Sequence, residues 1–220
     1  MIKAILFDLD GTIADTIPAI TEGINLTMRH RGYPEHDERA VLGFINYGSR
    51  ALIRSAMPKE LQSDEALVDE VHAEYDAFYG QTYDHTTKTY DGIPELMQTL
   101  HGMGYPIGVL SNKQHAYVER LAAQLLPAGV CGAAQGVLPG GKPKPDPFLS
   151  TRVAEALGVR TEECIMIGDS NVDFYTAQNA GMTHIGVSWG YRDEASLREI
   201  GVTRIAHSTD ELLQIIKSLL

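Results

Sequence analysis

The sequence predicts an α/β protein: a parallel sheet with helices on both faces, interrupted after its first strand by an inserted helical subdomain. Three observations predict it. A short apolar run at residues 2–7, Ile-Lys-Ala-Ile-Leu-Phe, stops at Asp8 in the manner of a buried strand. Residues 15–84 then carry helical periodicity and no strand pattern. After them, short apolar runs alternate with amphipathic helical segments, as parallel strands and their crossover helices do. Residues 1–14 and 85–220 are accordingly the α/β core domain, and residues 15–84 the helical subdomain. A chain of 220 residues is long enough to bury such a core.

The elements follow in order. The strand at 2–7 ends where Gly11 lets the chain turn away. Helices are expected at roughly 16–31, 48–56 and 63–80, punctuated by Gly32-Tyr33-Pro34 and Met57-Pro58. Gly92-Ile93-Pro94 opens a helix to about residue 103, 106–110 is a strand, and 114–125 is a helix. A strand at 164–168, a helix at 171–180 and a strand at 184–187 come next. A short strand near Arg204 and a helix from Thr209 complete a Rossmann-like core.

Hydrophobic residues make up 44% of the chain and charged residues 21%, which fits a soluble globular protein rather than a disordered one. The net charge of -11 argues against nucleic acid or an anionic membrane as partner, because either needs a basic face. A small anionic substrate is compatible, since a local cluster of cations overrides a global charge. No apolar run is long enough to span a bilayer, and Asp8 and Asp10 interrupt the N-terminal run before a signal-peptide core is complete. The two cysteines, Cys131 and Cys164, are too few and too far apart for a zinc knuckle or a disulfide framework. A reducing cytoplasm is the expected location. The histidines show no metal-ligand spacing, and no Gly-x-Ser-x-Gly elbow occurs.

In open parallel sheets the ligand site lies beyond the carboxyl ends of the strands. The three clearest strands end at Asp8, Ser111 and Asp169, so two acids and a hydroxyl meet in one crevice. Asp8 and Asp10 are two residues apart and, on an extended chain, point to the same side. Asp169 and Asp173 add carboxylates at a strand-to-helix junction, where Ser170 and Asp173 also fit a capping box. Carboxylates converging without a cation repel, and a hard divalent ion with open water positions, such as Mg²⁺, relieves this. Ser111-Asn112-Lys113 offers a hydroxyl and amides at a helix start, natural donors to a phosphoryl oxygen.

Residues 136–142 satisfy Gly-x-x-x-x-Gly-Lys, yet no P-loop forms there. Pro143 follows in place of Ser or Thr and has no N–H for a phosphate cradle. The alternating prolines of Lys142-Pro143-Lys144-Pro145 instead make a stiff extended arm. Its period of about three residues per turn points the two lysines in different directions, so one of them enters the site.

Four elements in this order resemble the haloacid dehalogenase superfamily of phosphatases: Asp8-Leu9-Asp10-Gly11-Thr12, Ser111-Asn112, Lys142-Pro143, and Gly168-Asp169-Ser170 with Asp173. The resemblance spans nearly the whole chain. It implies a helical cap inserted after the first motif, matching residues 15–84. It further implies Asp8 as nucleophile, Asp10 as general acid/base, Ser111 and Asn112 as phosphate ligands, and Lys142 as the neutralising lysine, the one before the first proline. Mg²⁺ would be held by the Asp8 and Asp169 carboxylates and the Asp10 carbonyl, with Asp173 supporting.

Position 10 discriminates within the superfamily: dehalogenase members lack this second Asp, which favours a phosphatase. Phosphonate-cleaving members need a cap lysine, and Lys59, in an interhelical turn, is the only lysine between 15 and 84. Ser111-Asn112-Lys113, residues 172–182 and 187–192 look most like phosphoglycolate phosphatases. A two-carbon acid such as 2-phosphoglycolate would favour a cation at the crevice. Arg50 and Arg54, at i and i+4 of one helix, Lys113 and Arg192 are the candidates. Sugar phosphates, pyrophosphate, nucleoside monophosphates and a phosphomutase reaction are the alternatives. A receiver-type phospho-accepting module also uses acids, Mg²⁺ and a lysine, but it phosphorylates an Asp on a middle strand of the chain beside an acidic pair on the first. Here the acids fall on the first and a later strand, and a cap of about seventy residues would have no purpose.

Overall fold

The computed structural model describes residues 1–45 and 48–220. Two compact units emerge: residues 1–15 with 89–220, and residues 16–88.

Along the chain the elements are β1 (Ala4–Asp8), β2 (Ala14–Asp15), α1 (Ile17–Arg31), α2 (Glu38–Leu42), α3 (Ser49–Ala56), α4 (Glu65–Thr82) and β3 (Lys88–Thr89). Then come α5 (Ile93–Gly102), β4 (Ile107–Gln114), α6 (His115–Leu125), β5 (Cys131–Val137), α7 (Phe148–Ala156) and β6 (Cys164–Gly168). The chain closes with α8 (Asn171–Ala180), β7 (Thr183–Val187), α9 (Glu194–Glu199), β8 (Ile205–Ala206) and α10 (Thr209–Leu219).

The first unit is built on a six-stranded sheet of order β5-β4-β1-β6-β7-β8. Every pairing in it is parallel. β1 lies in the middle and all five of its residues are buried, which demands cover on both faces. Ala4 and Leu6 pack with Leu149 and Val153 of α7 and Ala177 of α8. Ile5 and Phe7, also fully buried, point to the opposite face. The chain runs outward from β1 to β4 and β5, then restarts on the other side at β6. Asp8 and Asp169 flank that switch point.

The second unit is helical, as expected. Its helices α1 and α4 pack closely because Gly23 leaves room for the Tyr75 and Tyr79 rings. Asp37 and Asp64 cap α2 and α4 by accepting from the Ala40 and Leu67 amides.

Six of the described elements escape the sequence reading: α2, α7, α9, β5 and the two-residue strands β2 and β3. β5 reads Cys-Gly-Ala-Ala-Gln-Gly-Val, too poor in β-branched and large apolar residues to announce a strand. It forms because β4 supplies a parallel edge. β4 itself runs to Gln114 instead of stopping at 110, with an irregularity between Leu110 and Gln114. That bulge re-aims Ser111 and Lys113 at the end of the sheet. Both cysteines are free thiols, and burial pushes Cys164 up to about 12.

Candidate active site

The carboxyl ends of β1, β4 and β6 and the loop before α7 bring a set of polar side chains together. Asp8, the last residue of β1, is 6% exposed. Its Oδ1 accepts from its neighbour's amide, Leu9 N, at 2.7 Å, and lies 2.7 Å from the Lys144 ammonium. Lys144 Nζ also donates to Asp173 Oδ1 at 2.6 Å.

Lys144, not Lys142, is therefore the lysine of this site. The side chain of Lys144 is 3% exposed, whereas that of Lys142 is 71% exposed and pairs with Asp146 at 3.4 Å. The expectation that one lysine of the Pro-rich arm enters holds; the choice of Lys142 does not. Two Lys-Pro pairs stand in tandem here, so the pattern alone does not set the phase. The Lys144 main chain does. Asn112 Oδ1 accepts from Lys144 N at 2.6 Å, and Asn112 Nδ2 donates to Lys144 O at 3.0 Å. The Asn112 side chain, expected on the phosphoryl group, grips the lysine's peptide instead. Asn179 Nδ2 adds a hydrogen bond to Pro145 O at 2.9 Å.

Asp10 forms a second cluster with Ser111 and Lys113. Ser111 Oγ donates to Asp10 Oδ2 at 2.7 Å, and Lys113 Nζ stands 3.0 Å from Asp10 Oδ1. Ser111 Oγ in turn accepts from Lys113 N at 3.0 Å, a bond the β4 bulge permits.

Asp169 and Asp173 line the other side. Thr12 Oγ1 donates to Asp169 Oδ1 at 3.1 Å, and Tyr191 N donates to Oδ2 at 2.7 Å. Gly11, at φ 82°, passes so near this carboxylate that a β-carbon on it would fall 2.5 Å from Asp169 Oδ2. Asp173 does two things at once. Its Oδ2 accepts from Ser170 N and Oγ, making the capping box that starts α8, while Oδ1 takes the Lys144 ammonium.

One carboxylate oxygen each from Asp8, Asp169 and Asp173 lies within 4.8 Å of the others. Four acids, with Asp10, stand against two ammonium groups, so negative charge is in excess. Burial, then repulsion from Asp173, raises Asp8 well above the carboxylate range and pushes Asp169 up to about 7. Burial pulls Lys144 down, but Asp173 and Asp8 outweigh it and hold the amine charged. Buried, oxygen-only donors with unbalanced negative charge fit a hard divalent cation such as Mg²⁺.

Arg50 is committed within the helical unit, its guanidinium bonded to Asp69 at 2.6 Å and Glu65 at 2.7 Å. Arg54 is bonded to the same Glu65. This corrects the expectation of a substrate cation at Arg50, whose charge neighbouring carboxylates already neutralise. Lys113 does stand at the crevice. Thr12 and Tyr191 were missed as partners of Asp169: Thr12 lies inside the first motif, whereas a main-chain donor leaves no side-chain signature.

The haloacid dehalogenase-like hydrolase family matches residues 5–187. Among relatives, the phosphoglycolate phosphatase of Chromobacterium violaceum is 31% identical, over 99% of this chain and 97% of its own length. That of Vibrio parahaemolyticus is 28% identical over 98% and 96%. A crystal structure of a Lactobacillus delbrueckii subsp. bulgaricus protein, provisionally named phosphoglycolate phosphatase, superposes with a TM-score of 0.88 at 29% identity, covering 97% of this chain and 98% of its own. The parallel sheet, the acids at its switch point and these matches agree, and the chain belongs to the haloacid dehalogenase-like hydrolase family.

Proposed function

We propose that this chain is a Mg²⁺-dependent phosphate monoester hydrolase that works through an aspartyl-phosphate on Asp8 and acts on a small metabolite such as 2-phosphoglycolate. The observation that carries the reading is the Asp8 carboxylate at the end of the central strand, with a buried ammonium 2.7 Å away. That ammonium works against the burial and acid repulsion that raise Asp8, and so favours the ionised, nucleophilic form.

Asp8 attacks phosphorus and the bond to the leaving oxygen breaks, giving an acyl phosphate. Asp10, protonated, gives its proton to that oxygen, and the alcohol departs. Asp10, now a carboxylate, takes a proton from water as the water attacks the acyl phosphate. Phosphate leaves, and Asp8 and Asp10 return to their starting forms. Lys144 opposes the charge that spreads over the transferring oxygens, and Ser111 and Lys113, already turned toward Asp10, hold the phosphoryl group. Asn112 acts through Lys144 by fixing its peptide. Asp8 and Asp169, the Asp10 carbonyl and Asp173 in support would hold Mg²⁺, which when bound supplies further positive charge against the phosphoryl oxygens.

The substrate rests on the names of the relatives and on Lys113, a cation at the crevice beside Asp10. Two free thiols suit a reducing cytoplasm, and no helix among the described residues is long and apolar enough to cross a membrane. A panel of phosphorylated metabolites assayed with Mg²⁺ tests the reading. Turnover is expected to be fastest on 2-phosphoglycolate and to vanish in Asp8→Asn. Multiple turnovers by Asp8→Asn would sink the aspartyl-phosphate. A faster sugar phosphate or nucleotide would replace the substrate and leave the chemistry.

A further inference from the structure

The loop after β7, residues 188–192, takes no part in the reaction above, yet it closes on Asp169. Tyr191 N donates to Asp169 Oδ2 at 2.7 Å, while Thr12 Oγ1 donates to Oδ1 at 3.1 Å, so one donor holds each oxygen. Trp189 Nε1 donates to Thr12 O at 3.1 Å, which ties the second donor's residue back to the same loop. Asp169, Thr12, Trp189 and Tyr191 thus form a closed ring of contacts. Gly190 lies at its narrowest point. A β-carbon there would fall 2.3 Å from Asp169 Cβ and 2.3 Å from Gly11 O. Neither neighbour is the flexible end of a side chain, and Asp169 itself is 1% exposed, so nothing can swing aside.

A carboxylate turns about two side-chain torsions, and an acid beside other acids is repelled by them. Left alone, Asp169 would rotate away from Asp8 and Asp173. The two donors and the packed glycine remove that freedom. We propose that residues 189–191 are a positioning loop for the cation site, holding the Asp169 carboxylate toward Asp8, and that Gly190 is required because only hydrogen fits between Asp169 and Gly11. This rests on the reading of Asp8 and Asp169 as holders of a divalent cation. Partners that orient a metal ligand typically change affinity by about 10–100-fold when lost.

The test is cation affinity, read without substrate. Mg²⁺ and Mn²⁺ are titrated by calorimetry into the full-length wild type, Gly190→Ala and Asp169→Asn, with circular dichroism as the control for folding. Trp189 is the single tryptophan, so its emission in the first two proteins reports the same titration from within the loop. Gly190→Ala is expected to keep its circular dichroism and to bind at least about tenfold more weakly. Wild-type affinity in a folded Gly190→Ala overturns the loop's role and leaves the phosphatase reading intact. No binding of either cation by the wild type overturns the loop's role and the cation site together. If Gly190→Ala does not fold, Trp189→Phe, which keeps a ring and loses the donor, is the deciding variant. An affinity about tenfold weaker or worse supports the positioning role, and an unchanged one overturns it.

Discussion

Exchanging Lys144 for Met keeps the length and most of the volume of the side chain and removes the ammonium. Lys144 Nζ lies 2.7 Å from Asp8 and 2.6 Å from Asp173. At an effective dielectric of about 20, each pair carries a gross attraction on the order of 6 kcal/mol. Desolvation of the lysine and proton uptake by the stranded acids offset most of that. A loss of about 3–5 kcal/mol remains, typical of breaking a buried ion pair from one side. For a chain of this size that lowers the melting temperature by roughly 6–20 °C in metal-free buffer. Turnover with Mg²⁺ is expected to fall by about 10²–10³, since a preorganised charge facing the transferring group is lost. Lys142→Met is the matched control. Its pair with Asp146 is exposed and contributes no more than about 0.5 kcal/mol, so melting and turnover stay at wild-type values. Differential scanning fluorimetry and a phosphate-release assay measure both. A Lys142→Met protein that loses turnover while Lys144→Met retains it would refute the assignment.

The raised acids set the sign of the pH dependence. Asp169 titrates near 7 in the folded chain and near 3.8 unfolded, so the folded state binds the extra proton between those values. Stability of the metal-free protein therefore falls as pH rises from about 4 through 7, and Asp8 acts in the same direction. Melting is expected at a lower temperature at pH 8 than at pH 6 without metal, and Mg²⁺ is expected to raise it more at pH 8. Metal-free melting that rises over that interval counts against the acid cluster as described. Asn112→Ala strands the buried N–H and C=O of Lys144, at about 1–3 kcal/mol for each group left unpaired. It should lower both melting temperature and kcat, by about tenfold for the latter, and normal kcat would show that the lysine needs no such grip.

Legibility in the sequence followed chemistry that side chains announce. β1 was readable because an apolar run met an acid, and β6 for the same reason at Asp169. The helical unit was readable from its periodicity. β5 was not, because its small residues acquire strand geometry from β4 rather than from propensity. The two lysines of the Pro-rich arm are chemically alike, and the grip that separates them comes from Asn112, 32 residues away in sequence. The Tyr191 main-chain donor was invisible for a simpler reason: every residue but proline carries one.

The central position of β1 has a consequence for how the chain is made. Ile5 pairs with Ile107 on one side and Ile165 on the other, so β1 waits for two neighbours that are synthesised long after it. Pairings of such long sequence separation are slow to form, and until they do an apolar strand stays unsheltered. Asp8, Lys144 and Asp169 meet only once β6 has been synthesised. A chain that stops short of it has the Asp8 and Lys144 pair but lacks the Asp169 and Asp173 carboxylates that complete the cation site.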